Sequence, residues 1–276
     1  MKRAFLLALA LLAFLPVGQA HAAQCGLPDT QPLWIDYAEG AVTFRNELFG
    51  KPGIVAASSG TAVPAALRAR GAQTIYWAGK FGDYVGTTLK PADPSTIDGA
   101  AQRMFDRAVA STGCQTPQIV INELNGAGTT TPWTVSNSGY RANVLALLQG
   151  LFKRGAHPYL LVNSTPYTGG EAKDWWLAAG GVADMVQEVY FNAPSIMRSG
   201  VVLGSRRMRS AFRNALQPYR DIGFPGSKLG IILGFQSGPG TGGREGLQPT
   251  SAWLEFVKLN TLAGKQVANE LHLATM

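Results

Sequence analysis

The chain has 276 residues, a formal net charge of +7, 46% hydrophobic residues and two cysteines. Length and apolar content exclude a disordered chain and a small scaffold built on disulfides, and they suit one large domain or two small ones. The positive excess is dispersed. It favours solubility and loose attraction to anionic polymers, and makes no case for nucleic-acid binding.

At the N-terminus, Lys2 and Arg3 precede an apolar stretch over residues 4–15, then Pro16-Val17-Gly18 and the small-residue site Ala20-His21-Ala22. That is the charged region, apolar core and cleavage pattern of a secretory signal. The apolar run is about a dozen residues, short of the roughly 20 a spanning helix needs. Gln24 before Cys25 does not fit a lipobox. Residues 1–22 are therefore expected to leave as a signal peptide, and residues 23–276 to form a single domain, secreted or periplasmic and not inserted in a membrane. In an exported protein the lone pair Cys25 and Cys114 is expected to bond, the alternative being two buried thiols. The bridge would close a loop of about 90 residues, for which chain entropy suggests up to roughly 4–5 kcal/mol.

Short apolar runs with polar tips predict strands over residues 33–37, 53–57, 74–77, 118–122, 159–163, 185–191, 229–235 and 270–274. Helical segments fall between them. The one over 140–152 carries Val144, Leu147, Leu148 and Leu151 on one side. Asp93 or Ser95 can cap the helix that carries Met104 and Phe105, and Thr250 or Ser251 the last one. Gly just past a helix, as in Leu67-Arg68-Ala69-Arg70-Gly71, marks several helix ends. Strands alternating with helices predict an α/β fold, a (β/α)8 TIM barrel. A doubly wound open sheet is the alternative, but no Gly-rich phosphate fingerprint follows the first strand. Because Met276 falls at or just past the eighth predicted strand, the expected barrel lacks its last helix.

A parallel barrel gathers its strand tips on one face. Here those tips carry Asp36, Tyr37, Ser58, Trp77, Lys80, Asn122, Glu123, Asn163, Glu188, Tyr190 and Gln236. The rim is acidic, rich in amides and aromatic. His21, His157 and His272 are scattered, so neither a metal site nor Ser-His-Asp catalysis is expected, and no cofactor is called for. Carboxylates, amides and exposed aromatics suit a carbohydrate, whose hydroxyls take hydrogen bonds and whose C–H faces cover rings. Cleaving a glycosidic bond usually takes two carboxyl groups, one of them protonated. Glu123 is the expected proton donor, raised by partial burial at the strand tip.

Asn122-Glu123 at the end of the fourth strand resembles the acid/base signature of the large retaining glycoside hydrolase clan built on (β/α)8 barrels. The resemblance implies Glu123 as acid/base and Asn122 as ligand of the sugar 2-hydroxyl. It covers architecture over the whole mature chain but only two residues of motif. The clan places its nucleophilic glutamate at the end of strand seven, where this chain has Gly234-Phe235-Gln236-Ser237, and Gln236 is no anionic nucleophile. The partner carboxylate must then come from Glu188, Asp36 or Glu245, taken in that order. Each carboxylate has a plainer reading: Glu123 could anchor the barrel mouth, and Glu188 could be a buried half of an ion pair.

Trp77, Trp133, Asn163, Tyr190, Gln236 and Arg244 are the expected sugar contacts, with Trp133 as the platform. Trp175 and Trp176 lie on a helix, so at least one packs in the core. The glycine-rich stretch 238–246 lacks the Lys-Ser/Thr ending of a phosphate loop and suits a loop over the mouth. Arg206, Arg207, Arg209 and Arg213 are expected on a solvated helix face, contact with an anionic polymer being the alternative. The alternative to hydrolysis is a non-catalytic barrel that binds a glycan.

Overall fold

The computed structural model describes residues 24–28, 30–37, 55–124, 137–234 and 250–276, without the side chains of Gln24, Asp36, Tyr37 and Thr250. The expected signal peptide, Trp133, Gln236, Arg244, Glu245 and the glycine-rich stretch lie outside the described residues. Among the described residues, seven parallel strands form one sheet: β1 (Ile35–Tyr37), β2 (Val55–Ser58), β3 (Gln73–Ala78), β4 (Gln118–Leu124), β5 (His157–Val162), β6 (Asp184–Val189) and β7 (Leu229–Leu233). Among the described residues the helices are α1 (Ala62–Ala69), α2 (Gly82–Val85), α3 (Ile97–Thr112), α4 (Ser138–Lys153), α5 (Glu171–Gly180), α6 (Ala193–Arg198), α7 (Gly200–Asp221) and α8 (Thr250–Leu271).

Each strand pairs with its sequence neighbour, in the order β1 to β7. A doubly wound sheet reverses its strand order at a switch point. The unbroken order therefore excludes that alternative, and the sheet is singly wound. Alternation along the strands separates two apolar clusters. Val55, Ala57, Ile75, Val120, Tyr159, Leu161 and Val186 pack together inside the curl. Their neighbours Ile119, Ile121, Leu160, Val162, Met185 and Ile231 belong to the larger cluster beneath the helices. Burial on both faces is why these strands read as continuous apolar runs.

The last predicted strand needs correction. Residues 270 and 271 are helical, because Phe256, Ala263, Val267 and Ala268 keep one face of α8 buried at helical spacing. The helix stops where His272 takes a left-handed backbone, φ 52°. Only then does the chain meet the sheet, and Thr275 makes parallel bridges to both Leu33 and Gly230. Leu33 N donates to Ala274 O at 2.8 Å and Ala274 N donates to Leu229 O at 2.7 Å. The segment thus lies between the two edges of the sheet. Gly230 permits the approach, since a Cβ there would stand 2.2 Å from Thr275 Oγ1.

Trp175 and Trp176 are both buried, edge to face at 4.9 Å, with indole N–H groups donating to Arg141 O at 3.0 Å and Tyr167 O at 2.9 Å. The arginine face of α7 is not simply solvated. Arg213 forks onto Glu270 at 2.9 and 2.5 Å, and Arg209 donates to Gln266 at 3.1 Å, tying α7 to α8. Asp93 accepts from Ser95 N at 2.9 Å, capping the 3-10 turn that leads into α3. Cys25 and Cys114 are disulfide-bonded, with Cα atoms 5.7 Å apart, pinning the N-terminal segment behind α3.

The strand starts carry a charged cluster. Asp184 is buried; its Oδ2 lies 2.9 Å from His157 Nε2, and its Oδ1 lies 3.0 Å from Lys228 Nζ. The lysine contact is ionic rather than aligned as a hydrogen bond. Beside it, Tyr159 donates its hydroxyl to Gln118 Oε1 at 2.9 Å.

Candidate active site

The opposite end of the sheet is shaped by an irregularity in β4. Ile121 pairs with Leu160 and Leu124 with Val162, so three steps along β4 match two along β5. One extra residue is a β-bulge. Glu123 absorbs it with φ 52°, a left-handed backbone that a non-glycine residue enters at a cost of about 1–2 kcal/mol. The bulge keeps Ile121 and Leu124 both under the helices. It leaves Asn122 and Glu123 side by side at the rim, where strict alternation would have put them on opposite faces. Strain of this kind gathers at functional sites.

Around Glu123 stand three of the residues expected from sequence. Asn163 Nδ2 donates to Glu123 Oε2 at 3.4 Å, a long hydrogen bond. Glu188 lies on β6 in phase with Asp184 and with Val186 of the inner cluster, as its parity predicted. Burial raises its carboxyl to about 7, the neighbouring Glu123 carboxylate adds to the rise, and a hydrogen bond with Tyr190 opposes it. Among the described residues, no cation is among the influences on it. Burial, then the Glu188 and Glu123 carboxylates, push the Tyr190 phenol upward as well. The Tyr190 ring packs against bare backbone at Gly234, where a Cβ would stand 2.7 Å from Cδ1.

A cleft of about 450 Å³ opens beside this group, with Asn122 and Glu123 on one side and Lys80, Thr87 and Thr88 on the other. Its far wall is the loop over residues 79–91, with Tyr140 of α4 beside it. The loop is held in place by buried Asn143, whose Nδ2 donates to Ala92 O at 2.8 Å and Val85 O at 3.3 Å. Gly86, at φ 78°, has no room for a Cβ, since Ala92 N would lie 2.3 Å away. A second concavity, of about 360 Å³, lies among Arg206, Arg207 and Asn214 on α7 and contains no carboxylate.

The sequence-based candidates thus divide. Glu123, Glu188, Asn163 and Tyr190 come together, and Asn122 joins Glu123 on the cleft wall. Trp77 packs on the inner cluster and beside Gly79, under the cleft rather than lining it. Asp36 is in β1, in register with Ala56, and its side chain is outside the described set. Trp133, Gln236 and Arg244 fall outside the described residues. Sequence reasoning missed the wall made by Thr87, Thr88 and Tyr140. The Gly82…Gly86-Thr87-Thr88 spacing signals a turn, but not which way it faces. Among the described residues, no group of three His, Cys, Asp or Glu side chains could hold a metal ion, and no helix is long and apolar enough to cross a membrane.

No protein-family model and no curated protein matches this chain. Solved structures similar to it include the C-terminal domain of a candidate chitinase from Desulfitobacterium hafniense DCB-2, with TM-score 0.43 and 12% identity over 75% of this chain and 67% of that one. A xylose isomerase domain protein from Planctomyces limnophilus gives TM-score 0.41 and 12% identity over 87% of this chain and 98% of that one. A mutant cellobiohydrolase from Humicola insolens gives TM-score 0.31 and 13% identity over 73% of this chain and 62% of that one.

Proposed function

We propose that the chain is an exported (β/α)8-barrel glycoside hydrolase acting on a poly- or oligosaccharide, with Glu188 and Glu123 as its carboxyl pair. The observation that carries this reading is the electrostatic coupling of two glutamates at the rim, on strands β4 and β6 that flank β5, one of them raised to about 7 by burial. Unequal neighbouring carboxyls are what acid-assisted glycoside cleavage requires. The pairing reverses the roles expected from sequence. Glu188 keeps its proton near neutrality and is the donor to the leaving oxygen. Glu123, on the bulge and beside the open cleft, supplies the carboxylate that attacks the anomeric carbon or activates water. Asn163 steadies that carboxylate, Tyr190 orients the donor, and Asn122 offers an amide to a ring hydroxyl. The disulfide suits an oxidising compartment, in keeping with export.

Release of reducing ends from a glycan panel tests this. Glu188→Gln and Glu123→Gln should each lower turnover by about 10²–10⁴-fold. Unchanged release in either variant sinks that residue's role. Binding without turnover in the wild type would leave a glycan-binding barrel instead.

A further inference from the structure

We infer that Lys80 forms a subsite for an anionic sugar, so that the cleft beside Glu123 takes an acidic glycan rather than a neutral one. The inference rests on the hydrolase reading and names its substrate class. Among the ten described residues lining the cleft, only Lys80 and Glu123 carry charge. Glu123 is committed to the carboxyl pair and to Asn163. Lys80 is exposed and forms no ion pair among the described residues. The other charges near its loop do not occupy it: among the described residues Asp83 makes no ion pair, its charge acting on Arg107, and Arg107 donates to the Tyr84 hydroxyl at 2.7 Å.

Its position is fixed by the fold. Phe81, Tyr84 and Val85 are buried, and the turn is closed by Asp83 N donating to Lys80 O at 3.1 Å and Tyr84 N donating to Phe81 O at 3.0 Å. The turn places the Lys80 side chain on a cleft wall that Thr87 and Thr88 also line, and its ammonium offers a charge-assisted hydrogen bond that a neutral sugar cannot use fully. A carboxylate or a sulfate ester on the sugar would use it.

The test is binding of the mature protein to an array carrying uronate-containing, sulfated and neutral oligosaccharides, repeated with Lys80→Met and Lys80→Arg. Acidic glycans should rank above neutral ones of the same backbone. Lys80→Met should weaken them by about fivefold or more, to the neutral level, because one charge-assisted hydrogen bond is lost. Lys80→Arg should restore the preference, which separates a binding role from a folding defect. Preference for uronates or for sulfates supports the subsite and tells which anion it takes. Equal binding of acidic and neutral glycans, or a preference that survives Lys80→Met, overturns the inference and leaves the hydrolase reading standing. No glycan binding by the wild type overturns both.

Discussion

Asp184 and Glu188 lie on the same face of β6, four residues apart, and are held under opposite conditions. Asp184, at the strand start, is buried between His157 and Lys228. Glu188, near the strand end, is half-buried, and among the described residues its charged and hydrogen-bonding neighbours are a second carboxylate and a phenol. A buried carboxylate flanked by basic side chains from two other segments ties the strand starts together and serves the fold. One given a like charge is driven toward its protonated form at a cost in stability, and carboxyls perturbed in this way gather at functional sites. The two ends of the sheet differ in the same way. One is closed by ion pairs, and the other carries a strained backbone and a cleft.

The largest effects should come from neutralising each carboxylate in turn. Asp184→Ala should lower unfolding free energy by about 3 kcal/mol in urea titration, because it leaves two basic groups without their partner. Glu188→Gln should cause no such loss while removing turnover. If Glu188→Gln instead unfolds the protein and Asp184→Ala does not, the division between the two ends is wrong.

The pH dependence of stability sharpens the same contrast. Glu188 moves from the ordinary 4.5 to about 7 on folding. Between those values the native state binds more protons than the unfolded one, so the contribution of Glu188 is fully present below about pH 4.5 and is lost as pH rises through 7. Glu188→Gln should therefore match the wild type in thermal melts at pH 4 and exceed it at pH 8. A variant less stable than wild type at pH 8 would contradict the buried, raised carboxyl.

How much of this was legible in the sequence depends on what fixed each element. Short continuous apolar runs ending in polar residues located the strands, and the parity of Glu188 followed from the apolar residues around it. The bulge was not legible. Leu124 reads as one more apolar residue, and only pairing with β5 shows that it returns to the outer face and leaves Glu123 the extra place. The ending of α8 was hidden for a related reason. Leu271, Leu273 and Thr275 alternate like a strand, while the helix continues on contacts made by Phe256 through Ala268. The cluster around Asp184 was overlooked because His157 and Lys228 are far apart in sequence and meet only when adjacent strands start level.

The backbone at Glu123 gives a smaller effect. Glycine enters the left-handed region without steric penalty, so Glu123→Gly should raise stability by about 1 kcal/mol while abolishing turnover. Gain of stability with loss of activity is the pattern of a strained functional residue. A destabilised Glu123→Gly would mean that the side chain serves the fold at this end too.

The smallest effect is the most specific. The hydrogen bond with Tyr190 lowers the Glu188 carboxyl, against burial and the Glu123 charge. Tyr190→Phe removes that opposition, so the donor should keep its proton to higher pH. The descending limb of kcat/KM, expected near pH 7 in the wild type, should then move to the alkaline side. A purely structural tyrosine would lower the whole profile without moving the limb. A shift to the acid side would mean that Tyr190 stabilises the protonated form, and that Glu188 is not the donor whose titration sets the limb.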